Sequence, residues 1–270
     1  MLTSPTNARV KRVVKLRSRR HRDRECRFVI EGFRELESAW CVGFPVEEVF
    51  YCEQHFAARG ERELIVGLRE TGAVCEATNA AVFAKLSYRH TPDGLLAVAA
   101  MPELTLNRLD VPENSLWLVA TNIEKPGNLG AMLRTADAAG VSGVLVADPA
   151  TDPFNPNVVR ASVGTLFSLP LAVSRGAAVR AWLAEHDIRV VATSPAGTTD
   201  YAEADLCGSV AVVVGGEHAG LDAEWITDAE AVRIPMVGQA DSINAAITAA
   251  VLLFEASRQR RAAGSSGLAR

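Results

Sequence analysis

The stretch Val210–Phe254, VAVVVGGEHAGLDAEWITDAEAVRIPMVGQADSINAAITAAVLLF, constrains this chain more than any other part of it. Val210–Val214 is an unbroken apolar run of strand length, which suits a strand buried on both faces. It runs into Gly215-Gly216-Glu217-His218-Ala219-Gly220, where glycines permit a sharp bend and a close approach of backbone to a ligand. A second apolar piece, Val232-Arg233-Ile234, is stopped by Pro235 and Gly238. The polar turn Gln239-Ala240-Asp241-Ser242 then opens a long helix over Ser242–Arg261. On it Ile243, Ile247, Ala250, Val251 and Phe254 recur at i, i+4, i+7, i+8 and i+11, one apolar stripe. Strands buried on both faces belong to parallel sheets covered by helices, and such sheets place ligand sites at their strand ends. The segment predicts an α/β fold with a small-molecule site among these loops.

Upstream the same alternation holds. Strands are predicted at Leu116–Ala120, Val144–Ala147, Leu171–Val173 and Val190–Thr193, with helices at Leu129–Ala139, near Val158–Val163, and at Ala177–Glu185 and Asp222–Thr227. Asn128 stands where an N-cap would and Gly140 where a C-cap would. No G-x-G-x-x-G follows any of these strands, so a nicotinamide-dependent oxidoreductase is disfavoured.

The stretch Asn122–Asp137, NIEKPGNLGAMLRTAD, follows the Leu116–Ala120 strand. Together with GGEHAGL and IPMVGQADSINAA, at their spacings, it resembles the three ordered motifs of the SpoU (TrmH-like) RNA ribose 2′-O-methyltransferases of the SPOUT superfamily. The resemblance implies a parallel-sheet domain with a deep trefoil knot over residues 115–262. It also implies S-adenosylmethionine as methyl donor, and a homodimer in which the arginine-bearing segment lies near the partner's pocket. Carried over by motif, the catalytic set is Asn128, Arg134, Glu217, Ser242 and Asn244. The cofactor set is Thr193, Ser194, Gly216, Glu217, Ile234, Met236 and Asn244.

A ribose 2′-hydroxyl is a poor nucleophile, whereas a sulfonium methyl is already activated. The protein must align oxygen, methyl and sulfur and help a proton leave. The family's arginine is assigned either proton abstraction or phosphate positioning. A guanidinium stays charged and makes a poor base, so positioning through its planar fork is favoured for Arg134. Asp241 and Ser242 are both natural N-caps, which leaves a structural role open for Ser242. His218 is not called for by the motif. No metal is expected, since no Cys/His/carboxylate cluster stands out.

Charge is unevenly distributed. Residues 1–27 hold ten Lys/Arg against Asp23 and Glu25, a balance of +8 in a chain of net charge −4, so the remainder carries −12. Such a basic arm, residues 1–26, suits a local polyanion contact, and Arg9, Lys11, Arg12, Arg19, Arg20 and Arg22 are the candidate RNA-binding residues. Ser4-Pro5 can start its helix, with Val10, Val13, Val14 and Leu16 on the apolar side. Residues 27–100 read as a small α/β unit: strands at Arg27–Ile30, Val46–Tyr51 and Leu95–Ala99, and helices from Phe33 (inner side Phe33, Leu36, Ala39, Trp40), at Arg62–Arg69 and at Ala80–Leu86. Its FVIEG and TPDGLLAVA stretches are similar to the family's ribosomal-protein-like, N-terminal substrate (RNA) binding domain. Residues 101–114 read as a linker and 263–270 as a flexible tail.

The five cysteines (Cys26, Cys41, Cys52, Cys75, Cys207) show no paired spacing, and no run approaches a membrane span. A cytoplasmic protein with reduced thiols and no membrane partner is expected. The substrate domain favours ribosomal RNA of the large subunit, whether for housekeeping or for antibiotic resistance. A transfer-RNA methyltransferase and a non-catalytic ribosome assembly factor are the alternatives.

Overall fold

The computed structural model describes residues 1–57, 60–217, 220–227 and 229–267, with side chains to 263. His218 and Ala219 of the glycine loop, and 268–270 of the expected tail, lie outside the described residues. The chain divides into two compact units. Unit 1 comprises Met1–Glu103 and Asp152–Ser168, and unit 2 comprises Leu104–Thr151 and Leu169–Arg270.

Unit 1 begins with α1 (Ala8–Lys15) and α2 (Arg19–Glu25). The cap of α1 is Asn7, whose side chain accepts the Arg9 N–H at 2.8 Å, so the helix starts later than Ser4-Pro5. Val10, Val13 and Leu16 are buried as the apolar spacing predicts, and they share a core with Phe50, Phe83, Leu96 and Val98. The basic segment is therefore no detached arm. Its apolar side is part of the core of unit 1.

There follow β1 (Arg27–Glu31), α3 (Phe33–Cys41), β2 (Val46–Tyr51), α4 (Glu61–Glu70), β3 (Val74–Ala77), α5 (Ala80–Leu86) and β4 (Leu95–Ala100). They build a four-stranded sheet in the order β1-β4-β2-β3, in which only β2 and β3 pair in parallel. Strand β3, VCEA, was not expected. It is a short edge strand, half-buried or exposed throughout, so its sequence carries no apolar alternation. On α3, Leu36 and Ala39 face inward as predicted, but Trp40 is exposed and Glu35 is buried instead.

Unit 2 opens with β5 (Leu116–Thr121), α6 (Pro126–Ala139) and β6 (Gly143–Ala147). The chain then leaves it. Helix α7 (Pro156–Ser162) and its flanks belong to unit 1, a departure from the expected 115–262 domain. The cause is aromatic packing plus one buried ion pair. Phe154 lies 4.5 Å from Phe28 and Phe167 lies 4.9 Å from Phe44, ring centre to ring centre. Asp152 Oδ2 meets Arg22 Nη2 at 2.6 Å. Back in unit 2 come β7 (Leu171–Ser174), α8 (Gly176–Glu185), β8 (Arg189–Thr193), β9 (Thr199–Asp200), β10 (Val210–Val214), α9 (Ala223–Ile226), β11 (Glu230–Arg233) and α10 (Ala245–Gly267).

The seven strands of unit 2 are all parallel, in the order β7-β6-β5-β10-β8-β11-β9. The predicted strand Val210–Val214 sits against Leu116–Ala120, every residue of both nearly inaccessible. Each fully buried valine side chain contributes about 1.5–3 kcal/mol by leaving water. The expected linker divides in two. From Leu104 it belongs to unit 2, where the Leu104 carbonyl accepts the Val173 N–H at 2.8 Å and Leu106, Leu109 and Val111 pack on the core.

Helix α10 corrects two expectations. It runs through Gly267, so the tail begins later than residue 263. Its core-facing side is Ala245, Ala246, Ala249, Leu252, Leu253 and Ala256, whereas Ile247 and Phe254 of the predicted stripe are 54% and 49% exposed. The alanines decide this, since small residues allow the close packing of α10 on α6 that a row of isoleucines would hold apart.

Candidate active site

The ends of parallel strands β8, β10 and β11, with the start of α10, line one cleft. Its place at parallel strand ends is where α/β sheets bind small ligands. Apolar walls come from Val214, Ile234, Met236 and Leu252, and polar groups from Ser194, Asp241, Ser242 and Thr248. Among the lining residues are Thr193, Ser194, Gly216, Glu217, Ile234 and Met236, six of the seven expected for the cofactor. The Thr193 hydroxyl is engaged elsewhere, donating to the Val213 carbonyl at 2.9 Å, so its hydroxyl oxygen serves the β8–β10 join.

The glycine loop is shaped by close approach. A Cβ on Gly216 would stand 2.6 Å from the Asn122 carbonyl oxygen, and one on Gly215 2.3 Å from that of Gly220. Asn122 itself adopts a left-handed backbone, φ 53°, which asparagine tolerates. The turn is closed by the Gly220 N–H donating to Gly216 O at 3.1 Å.

Beside the cleft three predicted residues converge. Asn128 Nδ2 donates to Glu217 Oε1 at 2.6 Å, and Asn244 Nδ2 donates to the same oxygen at 2.8 Å. Asn244 Nδ2 also reaches Asn128 Oδ1 at 3.1 Å. The Lys125 ammonium contacts the other Glu217 oxygen. Lys125 is not among the expected site residues, although it lies within the NIEKPGN stretch. The carboxylate is thus held by donors from the start of α6 and the start of α10.

Two capping assignments change. Helix α6 begins at Pro126 with Lys125 as its N-cap, because proline is preorganised for the first helical position. Asn128 falls inside the first turn, which frees its side chain for Glu217. The cap of α10 is Asn244, whose Oδ1 accepts the Ala246 N–H at 2.9 Å, and not Asp241 or Ser242. Ser242 lines the cleft, is exposed, and stands 3.4 Å from Asp241 Oδ1. Gly140 caps α6 as expected, with φ 73°.

Arg134 is not brought to this cluster. It is exposed on α6, outside the cleft lining, and its side chain has no ion pair or hydrogen bond among the described residues. Six residues of helix separate it from Asn128, a rise of about 9 Å.

In unit 1 the six candidate RNA contacts divide. Lys11, Arg19 and Arg20 are exposed, Arg19 standing 3.8 Å from Asp23. Arg9 and Arg12 pair with Glu48, Arg9 at 2.9 Å. Arg22 is 1% exposed, donating to the Leu16 and Arg17 carbonyls at 2.8 Å each and to Asp152. That burial corrects its place in the set: Arg22 holds unit 1 together and is closed to an external phosphate. Among the described residues no group of His, Cys, Asp and Glu is arranged to hold a metal ion.

Comparison with known proteins agrees with this geometry. Residues 115–254 match the SpoU rRNA Methylase family, and residues 7–97 match the MRM3-like substrate binding domain. The chain is 35% identical to the 23S rRNA (uridine(2479)-2′-O)-methyltransferase of Streptomyces viridochromogenes, over 91% of this chain and 87% of that one. It is 31% identical to the 23S rRNA (guanosine(2553)-2′-O)-methyltransferase RlmP of Bacillus subtilis, over 94% and 97%. Among solved structures, the AdoMet-bound rRNA methyltransferase from Sinorhizobium meliloti superposes with a TM-score of 0.88 at 31% identity, covering 96% of this chain and 97% of that one.

Proposed function

The chain belongs to the SpoU rRNA methylase family, and from that premise we propose that it moves the methyl group of S-adenosylmethionine to a ribose 2′-hydroxyl of large-subunit ribosomal RNA. The observation that carries this reading is the convergence of Asn128, Glu217 and Asn244 beside a cleft at parallel strand ends. S-adenosylmethionine supplies an activated methyl, so the protein's task is alignment and proton removal. Its adenosyl part fits the apolar walls Ile234, Met236 and Leu252, beside the backbone of Gly216. Glu217, occupied by Lys125, Asn128 and Asn244, serves as the brace of the glycine loop and not as a free base. Arg134 orients the RNA phosphate.

The exposed position of Arg134 and the exposed Ile247 and Phe254 on α10 support a homodimer in which Arg134 completes the partner's site. The trefoil knot belongs to the same reading, supported by family membership. Five free cysteines and the ribosomal substrates of the relatives support a cytoplasmic setting.

The test is transfer of tritiated methyl from S-adenosylmethionine to RNA of a strain lacking the gene, followed by nucleotide mapping. One 2′-O-methylated position in large-subunit RNA is expected. Label confined to transfer RNA, or on a base, would overturn the assignment, and S-adenosylmethionine binding without transfer would favour an assembly factor.

A further inference from the structure

The stretches FVIEG and TPDG, unused by the catalytic chemistry, meet around one surface loop of unit 1. Glu31 at the end of β1 is 8% exposed, and its carboxylate collects the chain leaving α5. Oε2 accepts the Tyr88 backbone N–H at 2.8 Å, while Oε1 accepts the Arg89 N–H at 3.4 Å and the Ser87 hydroxyl. Asp93 Oδ2 accepts the Phe33 N–H at 3.0 Å and Arg89 Nη1 at 3.2 Å. Arg89 Nη2 donates to the Glu31 carbonyl and to Glu35 Oε1, both at 2.7 Å. Residues 87–93 are therefore fixed at both ends by engaged carboxylates. What this loop presents is Tyr88, 46% exposed.

A single exposed aromatic is ordinary, so its surroundings decide. The Arg17 guanidinium stands over the Tyr88 ring, 5.7 Å from its centre. Arg17 is itself immobilised, its Nη2 donating to the carbonyls of Lys85, Leu86 and Ser87 at 3.0, 3.0 and 2.6 Å. Asn157 Nδ2 lies 3.3 Å from the phenol oxygen, and Lys85 and Arg160 are exposed and without an ion pair among the described residues. A rigid ring, a guanidinium against one face and two unneutralised cations, Lys85 three residues before Tyr88 and Arg160 one helical turn after Asn157, form the combination that grips an unpaired nucleotide. The base stacks on the ring and the phosphate meets the charges.

We propose that Tyr88 is a stacking platform for an unpaired base of the RNA substrate, flanked by Arg17 and Asn157, and that it helps select the RNA region methylated. This rests on RNA as the substrate class. The test compares wild type, Tyr88→Phe and Tyr88→Leu as full chains, each checked by thermal melting. Binding is measured to a large-subunit RNA transcript and to a blunt RNA duplex of equal charge, with methyl transfer to the transcript in parallel. Tyr88→Leu should weaken transcript binding about tenfold and raise KM for RNA alike, while Tyr88→Phe stays within about twofold of wild type. Duplex binding, S-adenosylmethionine affinity and kcat should not change. Equal transcript binding by wild type and Tyr88→Leu would overturn the platform, as would an equal loss on duplex. Tyr88-dependent binding without methyl transfer would sink the ribosomal assignment and leave the platform standing.

Discussion

Asn244 donates through Nδ2 to Glu217 at 2.8 Å while its Oδ1 accepts the Ala246 N–H at 2.9 Å, so one amide both caps α10 and braces the glycine loop. These two duties can be separated. Asn244→Asp keeps an N-cap acceptor and a favourable charge at the helix start, but sets a carboxylate against Glu217. Asn244→Ala loses both duties, the cap alone being worth about 0.5–2 kcal/mol. Calorimetry with S-adenosylmethionine should show cofactor binding impaired in both variants, with thermal stability better kept in Asp. Normal cofactor affinity in Asn244→Asp would mean the Glu217 contact is dispensable.

Arg134 should behave otherwise, because it touches neither the cleft nor the Asn244 cluster. Arg134→Ala should bind S-adenosylmethionine almost normally yet lose most methyl transfer, and Arg134→Lys should fail nearly as badly if the planar fork is what matters. In a mixture, Arg134→Ala and Asn244→Ala should restore transfer through hybrid dimers, if Arg134 serves the partner's site. Recovery absent from a verified hybrid would place Arg134 in its own subunit's chemistry.

What was legible in the sequence follows the strength of local signals. Val210–Val214 could be placed because an apolar run between glycines admits few alternatives, and the motif residues Asn128, Glu217 and Asn244 do meet. Periodicity alone orients helix α10 backwards because it weights Ile247 and Phe254 above alanines, while close packing on α6 selects the alanines. The transfer of 152–168 to unit 1 rests on Phe28–Phe154 and Arg22–Asp152, pairs far apart in the chain, 130 residues in the case of Arg22 and Asp152. No local pattern carries such pairs.

The glycine loop offers a steric test. Gly216→Ala places a methyl 2.6 Å from a backbone carbonyl of Asn122, which cannot move without disturbing the end of β5. S-adenosylmethionine affinity should fall at least tenfold, a cost of about 1.4 kcal/mol. Unchanged affinity in titration calorimetry would show that the loop relaxes freely.

Glu35 gives unit 1 a pH signature. Burial raises its carboxyl above the ordinary 4.5, and Arg89 opposes that only in part. A raised folded value means the folded state binds more protons between the two values. Its contribution is fully present below the unfolded value and is lost as pH rises through the folded one. Glu35→Gln removes the titration. The melting temperature of wild type minus that of Glu35→Gln should therefore fall on going from pH 4 toward neutrality. A difference that grows with pH would reverse the sign assigned to Glu35.

The basic segment calls for charge substitution and not for deletion. Removing residues 1–24 would strip Val10, Val13 and Leu16 from the core and leave Asp152 without Arg22. Breaking such a buried pair alone costs about 3–5 kcal/mol, so Arg22→Ala should unfold unit 1 at a markedly lower temperature, whatever RNA does. Lys11, Arg19 and Arg20 are exposed and can be altered without that cost. Changing all three to glutamine should weaken RNA binding and flatten its dependence on salt by about 0.7–0.9 in the log–log slope for each phosphate no longer neutralised. Cofactor affinity should stay unchanged, because these residues lie in unit 1 and the cleft in unit 2. Filter binding across a salt series measures the slope. An unchanged slope in the triple variant, with the melting temperature intact, would make these charges a solvated face with no phosphate partner.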